Sequence, residues 1–383
     1  MRITGIESRD VGDEVETSAL VGDVRLWYRT PRGLATTGTA DPFVAAAFFP
    51  AAVHGEPIEV DETRGVSPQL CAGMERLQEI FGCWNRTLKR FPVSAGRVVS
   101  EPLNEGTASF FSGGVDGQYT ERTRHTELTH LIYIGGFDFD MPPDLLEASL
   151  QRVARQAERT GKELVPVETN FFSYNERHGI DRRLSHGSCL ASVALLLGFP
   201  RCYIPSSNTY SHLHPWGTHP LTDAHWSTEY TTIVHDDMAA TRTGKIAAIA
   251  RTPELLEELT VCWNRPERNC GVCAKCMRTR VTLQLLGVES DAFPGGVRPR
   301  EVARLGAESK IDLLYFFDNM RLAEEVGDEA MRRALQRAVR RNVLKLLIKE
   351  YDATVLGGRL IRWYQERIQR IPLSGEQPVG PEG

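Results

Sequence analysis

The sequence predicts an α/β fold on a parallel sheet, with a small α+β N-terminal domain (1–104), a four-cysteine zinc knuckle (251–298) and a helical C-terminal region (299–383) around it. Three observations predict this. From about residue 105 to 250, apolar strand-length runs alternate with amphipathic stretches of helical period, the pattern of parallel strands joined by crossovers. Ala108 to Phe111 is an apolar run that feeds directly into the glycine-rich turn Ser112-Gly113-Gly114-Val115-Asp116-Gly117. Four of the eight cysteines, Cys262, Cys270, Cys273 and Cys276, fall within fifteen residues.

At 383 residues the chain is long enough for two or three domains with real cores. A formal charge of −5 gives no global pull toward nucleic acid. Met1 to Arg25 carries no apolar signal core, and no apolar run approaches a membrane span, so the expected location is cytoplasmic. In the N-terminal hundred residues, Val24 to Arg29 alternates as a strand does, Pro42 to Val53 reads as an alanine-rich helix, and Pro57 to Val60 as a short strand. Ser67 to Trp84 has helical spacing through Leu70, Met74, Leu77, Ile80 and Phe81. No catalytic constellation stands out there.

The turn after Ala108–Phe111 is the centre of the reading. Adjacent glycines let consecutive N–H groups converge on an anion, and Ser112 adds a hydroxyl donor. A helix starting near Asp116 would present unpaired amides and its positive end to a phosphate. Asp116 would then hold a magnesium ion or cap the helix. Leu131 to Ile134 is the next strand, Leu145 to Thr160 an amphipathic helix, and Leu164 to Val167 a third strand. Because ligands in such sheets lie outside the carboxyl ends of strands, Ser112 to Asp116, Gly135 to Asp138 and Glu168 to Asn170 are expected around one pocket.

Further on, His186 precedes the apolar helix Cys189 to Leu197. It suits either a phosphate contact or a helix-start histidine bonded to a carbonyl. Tyr210 to His235 is dense in histidine and tryptophan, which suits a ligand-facing loop with Asp223, Ser227, Thr228 and Glu229 as polar contacts. Arg242 and Lys245 are candidate catalytic grips for oxyanion charge that develops during group transfer; helix-start charges are the competing reading. Four thiolates with Gly271 turning the chain describe a structural zinc site, with an iron–sulfur cluster as the alternative.

Ser112-Gly113-Gly114-Val115-Asp116 resembles the Ser-Gly-Gly-x-Asp-Ser loop of the PP-loop ATP pyrophosphatases, the adenine-nucleotide alpha hydrolase superfamily with its HUP-like fold. Gly117 stands where that pattern has its last serine, and Thr120 lies one helical turn beyond. Together with Cys262 and Cys270-Gly-x-Cys273-x-x-Cys276 followed by Arg278, it resembles the 7-cyano-7-deazaguanine synthase branch over about Gly106 to Leu286. The resemblance implies ATP and Mg2+ at Ser112, Gly113, Gly114, Val115, Asp116 and Gly117, nucleotide contacts at Phe137, Asp138 and His186, and zinc on the four cysteines. It implies an AMP-forming ligase that adenylates a carboxylate or amide-like oxygen of a small molecule, releases pyrophosphate and transfers nitrogen from ammonia or an amine. Sulfur transfer through Cys189 or Cys202, and a non-catalytic nucleotide-binding partner module, are the alternatives.

Past Pro299, Leu313 to Leu322, Ala330 to Lys349 and Leu360 to Ile371 have helical spacing, and Gln377 to Gly383 reads as a disordered tail. Arg332, Arg333, Arg337, Arg340 and Arg341 form a basic stripe. That stripe suits an acidic protein, a carrier or tRNA, or simply a solvated face.

Overall fold

A computed structural model describes residues 1–61, 64–137, 140–262, 268–307 and 309–360. The chain opens with a meander, β1 (Arg2–Val11), β2 (Glu14–Val21) and β3 (Val24–Pro31), whose two connections are Gly-Asp pairs. Gly12 and Gly22 take left-handed dihedrals of +60° and +63°, which a two-residue hairpin loop demands. These pairs were the available signal for β1 and β2, which the polar composition of this stretch hides.

There follow α1 (Asp41–His54), β4 (Ile58–Val60), β5 (Gly65–Val66), α2 (Pro68–Trp84), β6 (Val93–Ser94) and β7 (Gly96–Arg97). α1 is apolar all round and buried along nearly its whole length, as a helix must be when it is packed on every side. α2 is the amphipathic helix its spacing predicts, with the Ser67 hydroxyl accepting from the Leu70 amide at 3.0 Å.

The alternating segment supplies β8 (Thr107–Phe110), α3 (Val115–Thr123), β9 (His130–Ile134), α4 (Pro143–Thr160) and β10 (Glu163–Thr169). It continues with α5 (Phe171–Arg177), α6 (Arg182–Leu197), β11 (Arg201–Pro205) and β12 (Thr232–Asp236). The strands pair in parallel in the order β12-β11-β8-β9-β10. Counted along this segment, that is 5-4-1-2-3, so the chain reverses direction across the sheet between β8 and β11. Ligands in open α/β sheets bind at such a switch point, beyond the strands' carboxyl ends.

The sheet does not stop at residue 104. β10 pairs antiparallel with β3, and the meander continues through β2, β1, β4 and β6 to make one ten-stranded sheet. One core runs through both halves, with Leu26 and Ile3 in the same cluster as Ile132, Val165 and Ile233, and with α1 against α6. α3 and α4 cover the other face over Leu131, Tyr133, Val153 and Tyr203.

α7 (Arg242–Ile249) and α8 (Pro253–Glu257) lead to the cysteine knuckle and α9 (Ala274–Leu285); α10 (Pro299–Val302) and the hairpin of α11 (Lys310–Glu325) and α12 (Glu329–Val355) follow. The expected helix at Leu360 to Ile371 lies, but for its first residue, outside the described residues, and the expected tail lies wholly outside them. No helix among the described residues is long and apolar enough to cross a membrane.

Candidate functional site

β8 ends in the loop that its sequence predicts. Gly113 sits at φ +74°, and a Cβ there would lie 2.4 Å from Arg152 Nη1 and 2.6 Å from Gln156 Oε1. The left-handed φ is what favours glycine here, while the ends of Arg152 and Gln156 would have to shift for any larger residue. The loop's carbonyls are turned into the protein: Ser112 O accepts from Arg152 at 3.5 Å, and Gly113 O accepts from the Thr260 amide at 3.2 Å and from Gln118 Nε2 at 3.4 Å. With the carbonyls so occupied, the backbone N–H groups of Gly113 to Gly117 have no partner among the described residues. They crown the N-terminus of α3, where the helix dipole also favours an anion.

Asp116, on the first turn of α3, meets Arg242 Nη1 at 2.6 Å and Lys245 Nζ at 3.1 Å. Both cations stand on the first turns of α7, which is capped by the Thr241 hydroxyl accepting from the Gly244 amide. Lys245 also donates to Ser206 O, just past β11, and lies over the Tyr119 ring. Burial pushes the Asp116 carboxyl up, but Arg242 and Lys245 outweigh it and hold the group at about 2, below its ordinary 3.8. α11 packs against α7, and the Arg242 backbone offsets part of the burial that pushes the Asp318 carboxyl up, so the C-terminal hairpin also reaches this site.

The two residues read as charge grips therefore meet the loop aspartate across more than 120 residues of chain. Arg152 and Ser206 also belong here and escaped the sequence reading. Ser206 was findable, since it ends a strand at the switch point; Arg152 was hidden in the amphipathic pattern of α4.

The other residues expected at the site are placed differently. Val115 is 1% exposed and points into the core beside Ile246, so it can offer a ligand only its amide. Gly117 is buried, and a Cβ there would sit 3.2 Å from the Phe111 ring. Thr120, one helical turn on, is buried and donates to Asp236 at 2.9 Å, so its hydroxyl is not offered to a ligand at the loop. Phe137 packs 6.3 Å from the His186 ring, and His186 bonds Arg183 O and the Thr218 hydroxyl. These two form a second group beyond β9, and Asp138 lies outside the described residues.

The polar residues expected as ligand contacts in Tyr210 to His235 are committed internally. Asp223 is buried and accepts from His235 Nδ1 at 2.7 Å, Ser227 accepts from the Ile233 amide, Thr228 from the Thr231 amide, and Glu229 from Ser67 and the Gln69 amide. On α12, Arg332 and Arg333 pair with Glu329, and Arg341 bonds the carbonyls of Ala303 and Leu305, which thins the basic stripe.

The four cysteine sulfurs lie within 4.8 Å of one another, with Cys262 to Cys273 and Cys270 to Cys276 each at 3.9 Å. Tetrahedral Zn–S bonds of about 2.3 Å place sulfurs roughly 3.8 Å apart, so the set fits a zinc ion in size and in chemistry. Gly271 at φ +73° makes the turn, and the amides of Cys273 and Cys276 donate to the sulfurs of Cys270 and Cys273. Asn269 braces the knuckle through Val261, Leu259 and Ala292, and Arg280 does so through Gly271 O. Cys262 and Cys276 share a core with Val115, Ile246 and Ile249. A metal here would hold α7 and α9 against α3, and four thiolates would leave it no open position for catalysis.

Comparison of the chain with protein-family models, with curated proteins and with solved structures finds no match.

Proposed function

We propose that the protein is an ATP-dependent, AMP-forming ligase of the kind that the PP-loop resemblance implies. One observation carries the reading: at the sheet's switch point, unpaired amides at the start of α3 stand beside Asp116, Arg242 and Lys245. In this reading the amides of Gly113 to Gly117 and the Ser112 hydroxyl take the ATP phosphates. A carboxylate or amide-like oxygen of a small-molecule acceptor attacks the α-phosphorus and the bond to the β-phosphate oxygen breaks. Arg242 and Lys245 take up the charge that develops on the departing pyrophosphate. Ammonia or an amine then attacks the activated carbon, and AMP leaves with the oxygen.

Mg2+ is held in such sites by one or two carboxylates plus the phosphates themselves, and Asp116 is the loop carboxylate that would hold it, through the lone pairs that Arg242 and Lys245 leave open on its two oxygens. The ion would supply charge neutralisation on the phosphates. Zinc on the cysteines has a structural part only.

Sulfur transfer is the weaker reading, because Cys189 and Cys202 are wholly buried and burial pushes both thiols up, away from the nucleophilic thiolate. A partner bound through the C-terminal arginines would rest chiefly on Arg337 and Arg340.

The deciding measurement is pyrophosphate and AMP formation from ATP and Mg2+ over a panel of carboxylic acids that includes deazapurine acids, with and without ammonia. Release that depends on one acid and vanishes in Asp116→Ala is the expected result. Saturable ATP binding with no turnover on any acid moves the reading to a non-catalytic nucleotide-binding module.

A further inference from the structure

Arg278 of α9 is 9% exposed, and its guanidinium makes no hydrogen bond or ion pair with any described residue. Its contact is the face of Tyr315 on α11, whose ring centroid is 3.7 Å from Arg278 Cζ. Nε is sealed from solvent without a partner, whereas the two terminal nitrogens are not sealed and remain reachable. A largely buried guanidinium whose Nε is sealed and unpaired, and which gives none of its donors to the protein, is costly, and folded chains usually pair one.

None of the described carboxylates pairs with it. The charges that act on it most strongly are Arg242, which repels it, and Asp312 and Asp116. Asp312 Oδ2 accepts from the Ser309 amide and hydroxyl, each at 3.1 Å, and Asp116 gives its two oxygens to Arg242 and Lys245. The loop amides form a separate donor set on α3. Two anion sites therefore meet at this junction, one made of amides with the net-positive cluster of Asp116, Arg242 and Lys245 and one made of an unpaired guanidinium.

We propose that Arg278, stacked on Tyr315, binds the carboxylate of the small-molecule acceptor, so that the substrate class is an organic acid that enters as its anion. A guanidinium fork matches the two oxygens of a carboxylate, and the aromatic face beneath holds that fork in one plane. This rests on the adenylating reading for the fate of the acid, but the carboxylate site itself does not need ATP. The arrangement also separates the two reactants: the nucleotide lies on the α3 amides, and the acid on the α9 side of Arg242.

Thermal melts of the full chain test it, with benzoate as the carboxylate probe and ATP with Mg2+ as a second ligand. Benzoate is expected to raise the Tm saturably in the natural protein. Its midpoint concentration should rise more than about tenfold in Arg278→Met and by an intermediate amount in Arg278→Lys, which keeps the charge but loses the fork. The ATP shift should stay within about twofold in both variants, and the ligand-free Tm of Arg278→Met should not fall, because a buried unpaired charge has been removed. An unchanged benzoate response in Arg278→Met overturns the proposal. So does a ligand-free Tm several degrees lower together with loss of the ATP shift, which makes Arg278 a packing or phosphate residue. If ATP stabilises neither protein, the nucleotide reading fails while the benzoate comparison still decides the role of Arg278.

Discussion

Glu16 and Asp116 are both carboxylates gripped by several cations, and both are held at about 2 against burial that pushes them up, yet they sit in regions of opposite character. Glu16 stands on β2 among Arg9, Arg25 and Arg29 of the adjoining strands, at 2.7, 2.6 and 2.9 Å. Hairpin register puts these partners within thirteen residues, and the cluster closes on itself. Asp116 gathers its cations from 126 and 129 residues away, beside amides with no partner and a guanidinium with none. A depressed carboxyl is therefore no mark of function by itself. Donors left over around it are, because a chain that folds for stability alone satisfies its buried polar groups.

The strongest way to break this contrast is to neutralise each carboxylate. Asp116→Asn is expected to cut ATP-dependent pyrophosphate release by at least about a hundredfold, beyond the stability it loses when Arg242 and Lys245 are left without their carboxylate. Glu16→Gln should leave turnover intact while costing about 1–3 kcal/mol in urea unfolding. Equal effects of the two on turnover would erase the distinction.

Metal removal comes next. Chelation or Cys276→Ser should lower the Tm by ~10 °C and weaken the ATP-induced shift, since the knuckle shares its core with Val115 and Ile246. A loss of stability that leaves ATP binding untouched would detach the knuckle from the site.

The acid limb is a smaller effect. A carboxylate whose folded pKa is depressed contributes stability that is present above its unfolded value and is lost as pH falls toward the folded one. Glu16 falls from 4.5 and Asp116 from 3.8, each to about 2, so stability should decline between about pH 4.5 and 2. Glu16→Gln and Asp116→Asn should each flatten that decline in melts taken across the range.

Gly117→Ser is expected to have the mildest consequence. Its Cβ needs the Phe111 ring to yield by a few tenths of an ångström, and the hydroxyl it adds stands where the resembled loop carries a serine. Turnover within about threefold of the natural protein, or above it, is the outcome that fits, measured by the same pyrophosphate assay.

The short-range features were legible in the chain. The strand into Ser112–Gly117, the amphipathic α2 and α4, and the turn that brings Cys270, Cys273 and Cys276 together all rest on neighbours within a few residues, where glycine dihedrals and side-chain period decide the geometry. The chemistry of Arg242 and Lys245 was legible as residue type. Their partner was not, because nothing local says which carboxylate a helix-start cation will meet. Only the tertiary structure joined the N-terminal meander to the parallel sheet through β3 and β10, turned the polar residues of Asp223 to Glu229 inward, and left Arg278 against Tyr315 without an anion. Each of these depends on contacts far apart in the chain, set by how whole faces pack, and no window of sequence carries that information.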